Sequence, residues 1–318
     1  MSLVLGAHDG DAHAGSLGIT GGAGETLLSG QAAFVEGTQT ATHFLVLTDH
    51  PDRVALLAAG LPQVSVTATP GFVAPFLAEV SFAAAPAQVF QADASIVGDL
   101  ARLARHCLAA RAFGAASRGF DLIVDYAKER VQFGRKIGQF QAIQHKLANV
   151  LMQVETSRLM LWRAAAAYDR DDPDWRYAAG AAISVASPAI RQACLETHHA
   201  FGGVSFWEEH EMPRHFRRIH ADLVRCGGVH AAREDMARYL EQAKIPDLDL
   251  GEKANAFREE IREWLAANWD GQFSEADMKR HLNERLASQG LAGQVDLRLQ
   301  DYRDIADTPF DEIGRAHV

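Results

Sequence analysis

The residue types best suited to bind a ligand lie in two short segments of this chain. Arg130 opens the run Arg130-Val131-Gln132-Phe133-Gly134, which places a guanidinium, an amide and an aromatic ring within a few positions. A guanidinium is planar and permanently charged, so it can hold a phosphate group through two parallel hydrogen bonds. At Gly202-Gly203 the backbone can approach a ligand closely, because glycine has no Cβ atom. From these residues alone, Arg130 could equally close a helix C-terminus, and Phe133 could equally be a core residue.

A second candidate is a metal site, suggested by the run Glu196-Thr197-His198-His199. A Glu and a His three residues apart share one face of a helix, and such pairs bind di-iron centres in helical bundles. That chemistry needs a second such pair, and the sequence offers none. The three cysteines are too scattered for a zinc site or a disulfide framework; they are Cys107, Cys194 and Cys226. We therefore predict no metal, and we expect His198 and His199 to face the surface or a turn.

The spacing of apolar residues divides the chain into a β part and a helical part. Within residues 1–92, short apolar or alternating runs such as 44–48 and 64–67 predict strands. From residue 95 to 243, apolar residues recur every three or four positions, which is typical of amphipathic helices. Asp171-Asp172-Pro173-Asp174 separates two of these helices, and Pro188 marks a kink or a helix start. The predicted fold is α+β: a small β-barrel-like domain, a four-helix up-down bundle, and a partial all-α segment.

The C-terminal part of the sequence divides into three pieces. Residues 244–254 have the composition of a linker. Residues 255–312 begin with an amphipathic helix but contain too few large apolar residues for a core, so we interpret them as the truncated start of a second N-terminal helical domain. Residues 313–318 match the translation of a common sequencing adapter, and we expect them to be a read-through artefact outside the fold.

The composition limits the possible classes of function. The chain has 318 residues, of which 48% are hydrophobic and 23% are charged, as in ordinary globular proteins. Its formal net charge of -10 disfavours nucleic-acid binding through a phosphate-neutralising surface. The first residues do not form a signal peptide, and no apolar stretch reaches a membrane-spanning length. We therefore predict a cytoplasmic protein without a membrane span.

Several motifs, taken in order, resemble those of the acyl-CoA dehydrogenase family over most of the chain. In the β part, residues 30–37 resemble a strand-turn motif of the family, and residues 79–86 resemble its final strand. In the helical part, the segment 130–134 is followed by Phe140-Gln141. His199-Ala200-Phe201-Gly202-Gly203 then resembles a Gln-x-x-Gly-Gly motif with His in place of Gln. No single motif is specific, but their order and spacing together are.

This resemblance implies an FAD-dependent enzyme whose flavin is shared across a subunit or domain interface. It assigns flavin contacts to six residues: Arg130, Gln132, Phe133, His199, Gly202 and Gly203. Arg130 would hold the pyrophosphate, with Gln132 hydrogen-bonding nearby and Phe133 covering the adenine. Arg105, on the first helix of the bundle, is the candidate for a contact with the acyl-CoA substrate.

The resemblance ends at the catalytic base. The family removes a proton α to the thioester with a carboxylate, usually a Glu shortly before the last helix. Cys226 occupies that position here, and a thiol with an ordinary pKa of about 8.5 is a poor substitute. An alternative position, one residue before Arg105, is occupied by Ala104. We therefore predict no catalytic residue in this chain and expect the chain alone to be inactive.

Fused and heteromeric members of this family, several of them linked to sterol side-chain breakdown, pair a catalytic half with a non-catalytic half. Residues 257–265 resemble the first helix of a dehydrogenase unit, which suggests that a second unit follows this one. We therefore expect an oligomeric FAD-dependent acyl-CoA dehydrogenase of fatty acid or steroid catabolism, in which this chain is the base-less half. The alternative is a non-catalytic assembly subunit that stabilises a partner dehydrogenase without binding flavin.

Overall fold

The computed structural model describes residues 1–5, 16–21, 26–73, 75–243 and 251–268, with a few positions between 280 and 288. The chain divides into two compact units, residues 1–244 and 245–318. The described part of the first unit consists mainly of strands up to residue 91 and of helices from residue 94 onward. The predicted α+β class is therefore confirmed.

Two four-stranded sheets form the β domain. The strands are β1 (Ser2–Val4), β2 (Leu17–Thr20), β3 (Leu27–Glu36), β4 (His43–Leu47), β5 (Arg53–Ala58), β6 (Val64–Val73), β7 (Phe76–Pro86) and β8 (Gln88–Gln91). The first sheet has the order β1-β4-β5-β8, in which β1 is parallel to β4 and the other neighbours are antiparallel. The second sheet has the order β2-β3-β7-β6 and is antiparallel throughout. Residues 79–86 lie in β7, and β8 follows, so the expectation that they form the final strand is wrong.

One apolar core lies between these two sheets. Side chains alternate along a strand, so each strand presents every second residue to the core. In β4, Phe44 and Val46 are fully buried, and the ring of Phe44 meets Phe82 of β7 edge-on at 6.2 Å between centroids. A smaller cluster of Leu47, Val97 and Ala101 joins the first sheet to the helices. The described residues thus form two packed sheets where the sequence predicts a barrel-like domain.

Five α-helices form the helical domain: α1 (Ala94–Glu129), α2 (Gln141–Asp169), α3 (Trp175–Phe201), α4 (Met212–Leu223) and α5 (Gly228–Arg238). The side chain of Asp93 caps α1 by accepting a hydrogen bond from the Ser95 N–H at 2.7 Å. Pro188 lies inside α3, so it does not start a helix. The described helices are three long and two short, where the sequence predicts a bundle of four. Gly227, whose φ angle of 81° is left-handed, lies between the two short helices, and Gly228, with a φ angle of 77°, begins α5.

Helix α3 contacts each of the other four helices of this domain. Its central part is rich in alanine and glycine, which allows neighbouring backbones to come close. A Cβ atom added to Gly180 would lie 2.9 Å from the backbone nitrogen of Met236 and 3.0 Å from the carbonyl oxygen of Ala232. Helices α3 and α5 are therefore in direct backbone contact at Gly180.

In the second unit, the structure describes one helix, α6 (Glu252–Asn268). It contains the predicted amphipathic helix and begins within the predicted linker 244–254. Residues 244–250 lie outside the described part, as do nearly all residues of the predicted segment 255–312 beyond Asn268 and the whole of 313–318. Among the described helices, none is long and apolar enough to cross a membrane.

We predict that Gly180→Ala lowers the free energy of unfolding by about 1–3 kcal/mol, because the new methyl group pushes α5 away from α3. Gly114→Ala is the matched control, since Gly114 is also helical but an added Cβ atom meets nothing within 4 Å. That variant should gain up to about 1 kcal/mol from the higher helix propensity of alanine. Urea denaturation measures the free energy of unfolding of both variants. Equal changes in the two variants would contradict the close contact between α3 and α5.

Candidate functional site

A short β-hairpin follows α1. Strand β9 (Val131–Gln132) pairs antiparallel with β10 (Arg135–Lys136), and Phe133-Gly134 form the two-residue turn between them. Phe133 and Gly134 have φ angles of 53° and 77°, and a type I′ hairpin turn requires positive φ at both central positions. Phe133 is 91% exposed at this turn. The reading of Phe133 as a core residue is therefore wrong.

Arg130 connects α1 to the hairpin. Its backbone N–H donates to the Tyr126 carbonyl at 2.8 Å, and its own carbonyl accepts from the Ile137 N–H at 2.8 Å. The side chain is exposed and forms no ion pair within the part of the chain that the structure describes. Gln132 is also exposed, and its Nε2 donates to the Val131 carbonyl at 2.8 Å. The backbone of Arg130 is thus fixed while its guanidinium faces solvent.

Gly202 and Gly203 follow the C-terminus of α3 and open a 3₁₀ helix, Gly202–Phe206. Gly202 has φ 64° and ψ -140°, a backbone conformation that residues with a Cβ atom rarely adopt. A Cβ atom built on either glycine meets no atom within 4 Å. The backbone here therefore borders open space that a ligand can enter.

The hairpin and the glycine pair lie at the same end of the helical domain. Tyr126, in the last turn of α1, contacts Phe201, the last residue of α3, with 5.1 Å between ring centroids. Arg130 follows Tyr126 by four residues, and Gly202 follows Phe201 directly. The sequence places these two segments about 70 residues apart, and the contact between α1 and α3 brings their ends together.

Lys146 is a functional candidate that sequence reasoning missed. It lies near the start of α2, where its Nζ pairs with the carboxylate of Glu196 and lies 3.4 Å from Nδ1 of the exposed His199. Gln192 donates a further hydrogen bond to Glu196 at 2.9 Å. Glu196 is therefore held by Lys146 and Gln192, and the described residues contain no group of three or more His, Cys, Asp or Glu able to hold a metal.

His198 differs from its neighbour His199. Its ring lies 4.5 Å from that of Phe206 and 4.8 Å from that of Phe216, and the residue is half-buried. Burial, and then the nearby charge of His220, lower the pKa of His198. Of the two settings expected for His198, the surface or a turn, the structure has it facing the 3₁₀ turn after α3, where Phe206 and Phe216 partly enclose its ring.

The two sequence positions considered for a catalytic base meet in space. The thiol of Cys226 donates to the carbonyls of Asp222 at 3.3 Å and Arg105 at 3.6 Å. Ala104 is the residue directly before Arg105. The Arg105 guanidinium lies against Gly227, since an added Cβ atom there would be 3.1 Å from Cζ. The structure thus brings the backbone of Arg105, the residue after Ala104, to the thiol of Cys226, and neither Ala104 nor Cys226 supplies a carboxylate.

Cys226 is chemically inert in this setting. It is 2% exposed and belongs to the apolar core of the helical domain. Burial, followed by the charge of Asp222, raises the pKa of the thiol to about 12, although the nearby Arg105 and Arg225 oppose this. A thiol that stays protonated at neutral pH has no capacity to remove a proton from a substrate.

A group of five charged side chains, called here the Glu36 cluster, joins the β domain to the helical domain next to Cys226. Its members are Glu36, Arg111, Arg218, Asp222 and Arg225. Glu36 accepts from Arg111 at 2.6 Å, Arg218 at 2.8 Å and Arg225 at 2.7 Å. Arg111 also pairs with the fully buried Asp222 through two hydrogen bonds of 2.6 and 2.8 Å.

The Glu36 cluster shifts the ionisation of its own members. Burial by itself would raise the pKa of Glu36, but hydrogen bonds from Arg111, Arg218 and Arg225 outweigh burial and lower the pKa to about 2. The hydrogen bond to Asp222, and then the one to Glu36, raise the pKa of Arg111 although burial opposes this. Sequence reasoning missed this cluster, because its hydrogen bonds to Glu36 span 75 to 189 residues and leave no local signal.

The two-sheet β domain followed by this helical domain is the fold of acyl-CoA dehydrogenases. The chain aligns with the crystal structure of the ChsE4-ChsE5 complex from Mycobacterium tuberculosis at a TM-score of 0.67 and 26% identity, over 76% of this chain and 66% of that one. A variant of the Tcur3481-Tcur3483 steroid ACAD gives a TM-score of 0.65 at 28% identity, over 76% and 67% of the two chains.

Residues 97–240 match the family model for the acyl-CoA dehydrogenase C-terminal domain. Over these residues the chain is similar to the C-terminal domain of acyl-CoA dehydrogenases, which are oxidoreductases. One relative is the acyl-CoA dehydrogenase IpdE2 of Mycolicibacterium smegmatis, which is 36% identical over 144 residues. That alignment covers 44% of each protein, so the match spans less than half the length of this relative.

We predict that Glu36→Gln lowers the free energy of unfolding at pH 7 by roughly 2 kcal/mol, because three guanidinium groups lose a charged partner. The folded-state pKa of about 2 lies below the ordinary value of 4.5. The stabilisation is therefore present above pH 4.5 and is lost as the pH falls toward 2. Denaturant titrations at pH 7 and pH 3 measure the free energy of unfolding. The difference in this free energy between wild type and Glu36→Gln should be smaller at pH 3.

Glu79→Gln is the control for that experiment. Glu79 is an exposed carboxylate on β7, and it forms no ion pair with any residue that the structure describes. Its substitution should leave stability within about 0.5 kcal/mol of wild type. Equal losses from both substitutions would mean that the Glu36 cluster contributes nothing specific.

We also predict that alkylation of the native protein with iodoacetamide at pH 8 modifies Cys107 and spares Cys194 and Cys226. Cys107 is exposed, whereas the other two thiols are buried with pKa values of about 12 and therefore contain almost no thiolate. Peptide mass spectrometry before and after unfolding distinguishes the three sites. Modification of Cys226 at the rate of Cys107 would show that this thiol is accessible and ionised.

Proposed function

We propose that this chain is the base-less half of an FAD-dependent acyl-CoA dehydrogenase and shares its flavin with a catalytic half. The observation that carries the proposal is the shared location of the Arg130 hairpin and the open Gly202-Gly203 backbone at one end of the helical domain. The resemblance assigns both segments to the flavin, and the contact between Tyr126 and Phe201 brings them to that end.

The residues at this end fit the chemical groups of FAD. The exposed guanidinium of Arg130 suits the negative pyrophosphate, and the exposed ring of Phe133 suits an adenine. Lys146 and His199 provide a second polar site beside α3, and the space next to Gly202 leaves room for the cofactor. FAD held by these residues would supply the acceptor for the hydride that leaves the substrate.

In this proposal, the proton on the carbon α to the thioester is removed by a group outside the described residues of this chain. Cys226 is buried and protonated, and Ala104 has no titratable side chain. A carboxylate from a second dehydrogenase unit, fused to this one or on a separate chain, would supply the base. Arg105, half-buried beside Cys226, is the residue we assign to contact the acyl-CoA substrate.

The relatives support the proposal of a second dehydrogenase unit and suggest a substrate class. The ChsE4-ChsE5 structure is a complex of two named components, and a second structural relative is named a steroid ACAD. By analogy, we propose that the complete enzyme desaturates the acyl-CoA thioester of a steroid-derived or fatty acid side chain.

A second candidate function is a non-catalytic assembly subunit that stabilises a partner dehydrogenase without binding flavin. The observation that favours it is a row of exposed large apolar side chains on α2, including Leu159 and Trp162. This candidate predicts that the chain stabilises its partner equally well with Arg130 intact or substituted.

We predict that the full chain binds FAD measurably and that Arg130→Ala weakens this binding at least about tenfold, since one charge-assisted pair to a phosphate is lost. Equilibrium dialysis against FAD measures the affinity. Arg130→Lys keeps the charge but loses the planar guanidinium, so its affinity for FAD should lie between those of wild type and Arg130→Ala. Arg191→Ala, at an exposed site on α3, is the matched control and should bind like wild type.

The same samples separate the two candidate functions. Under anaerobic conditions, the FAD-loaded chain alone should not be reduced by an acyl-CoA, because it lacks a base. Reduction by the chain alone would overturn its assignment as the base-less half. Absence of FAD binding in wild type and in all variants would favour the assembly subunit.

A further inference from the structure

Three polar side chains lie along one face of α3 just before the open glycine pair. Gln192, Glu196 and His199 follow one another at steps of four and three residues, so they share a face of the helix. Gln192 donates from Nε2 to Oε1 of Glu196 at 2.9 Å, which leaves Oε2 of Glu196 for another donor. The Glu196 and His199 pair, which the sequence suggests as half of a metal site, has a different partner in this structure.

That partner is the ammonium group of Lys146, which comes from α2. Lys146 pairs with Oε2 of Glu196, and its Nζ lies 3.4 Å from Nδ1 of His199. One nitrogen atom therefore contacts both the carboxylate and the imidazole. The side chains of Lys146 and Glu196 are 22% and 28% exposed, so solvent screens this ion pair less than a fully exposed one, and the pair holds the ammonium in place.

The contact with Lys146 determines which nitrogen of His199 carries the ring proton. An ammonium group has three N–H donors and no acceptor, so Nδ1 can bind it only as an acceptor. In a neutral imidazole whose Nδ1 is an acceptor, the proton is on Nε2. The contact therefore selects the tautomer in which Nε2 is a hydrogen-bond donor. Among the residues that the structure describes, none accepts a hydrogen bond from this nitrogen.

His199 borders the space that the proposed function assigns to the flavin. Its side chain is exposed, and its carbonyl accepts from the N–H of Gly202, where an added Cβ atom meets nothing within 4 Å. A ligand group that bonds to an Nε2–H donor has to be a hydrogen-bond acceptor. FAD carries such acceptors in its phosphate oxygens, its ribityl hydroxyl groups and the carbonyl groups of its ring.

We propose that Lys146, anchored by Glu196, is a positioning residue that fixes His199 as the Nε2–H tautomer, so that His199 donates a hydrogen bond to an acceptor oxygen of FAD. The identity of the ligand rests on the proposed function, whereas the tautomer is a property of the chain without ligand. Without Lys146, the Glu196 carboxylate would lose its cation beside Nδ1. A carboxylate only accepts, so Nδ1 would take the proton and Nε2 would lose its fixed role as a donor.

The first test reads the tautomer directly, in the absence of FAD. The full chain is labelled with ring nitrogen-15 histidine, and proton–nitrogen NMR at pH 8 should show an unprotonated Nδ1 and a protonated Nε2 for His199. The signals of this ring are identified by their absence from His199→Gln. Lys146→Met should reduce the share of the Nε2–H form. Lys128→Met removes another lysine that pairs with an acid, Asp125 at 3.2 Å, and should leave the His199 signals unchanged.

The second test measures FAD binding by equilibrium dialysis in two backgrounds. Lys146→Met should raise the dissociation constant of FAD at least about threefold, because the hydrogen bond from Nε2 is lost. The amide of glutamine donates without a choice of tautomer, so His199→Gln should bind FAD within about twofold of wild type. In the His199→Gln background, Lys146→Met should change the dissociation constant by less than about twofold, since Lys146 acts through His199.

Three results would overturn the proposal: a His199 ring protonated at Nδ1 in the wild-type chain, a tautomer unchanged by Lys146→Met, or equal losses of FAD affinity from Lys146→Met in the two backgrounds. The last result would mean that Lys146 acts on FAD by its own charge. A wild-type chain that has the Nε2–H tautomer but binds no FAD would contradict the proposed function and the ligand assigned to His199, and not the action of Lys146 on the ring. The two experiments therefore distinguish failure of this inference from failure of the proposed function.

Discussion

The carboxylate of Glu36 binds three arginines at the place where the β domain meets the helical domain. Arg111 comes from α1, Arg218 from α4 and Arg225 from the connection that follows α4, so one side chain ties three segments to the end of β3. Removing any member leaves a charge without its partner in a partly dry environment, which costs more than the pair contributes. Since Arg225 directly precedes Cys226, the Glu36 cluster also fixes the backbone at the position where a catalytic base is expected.

The burial of Cys226 makes the missing base a property of the fold and not only of one residue type. Its thiol contributes to the core of the helical domain as a small apolar group. A carboxylate in the same orientation would be desolvated, and Asp222, the nearest acid, would disfavour its ionised form. The packing around Cys226 therefore supports our proposal that the proton acceptor belongs to another unit.

Elements with a local signal were predictable from the sequence, and contacts between distant residues were not. The change in apolar spacing near residue 95 and the break before α3 follow from helix and turn chemistry, and the structure has both. The hairpin at Phe133 was not predicted, because a positive φ at a phenylalanine is rare and leaves no mark in composition. Lys146 and the Glu36 cluster depend on helix packing, which the period of a single helix does not specify. The aromatic neighbours of His198 were not predictable for the same reason, since they come from later in the chain.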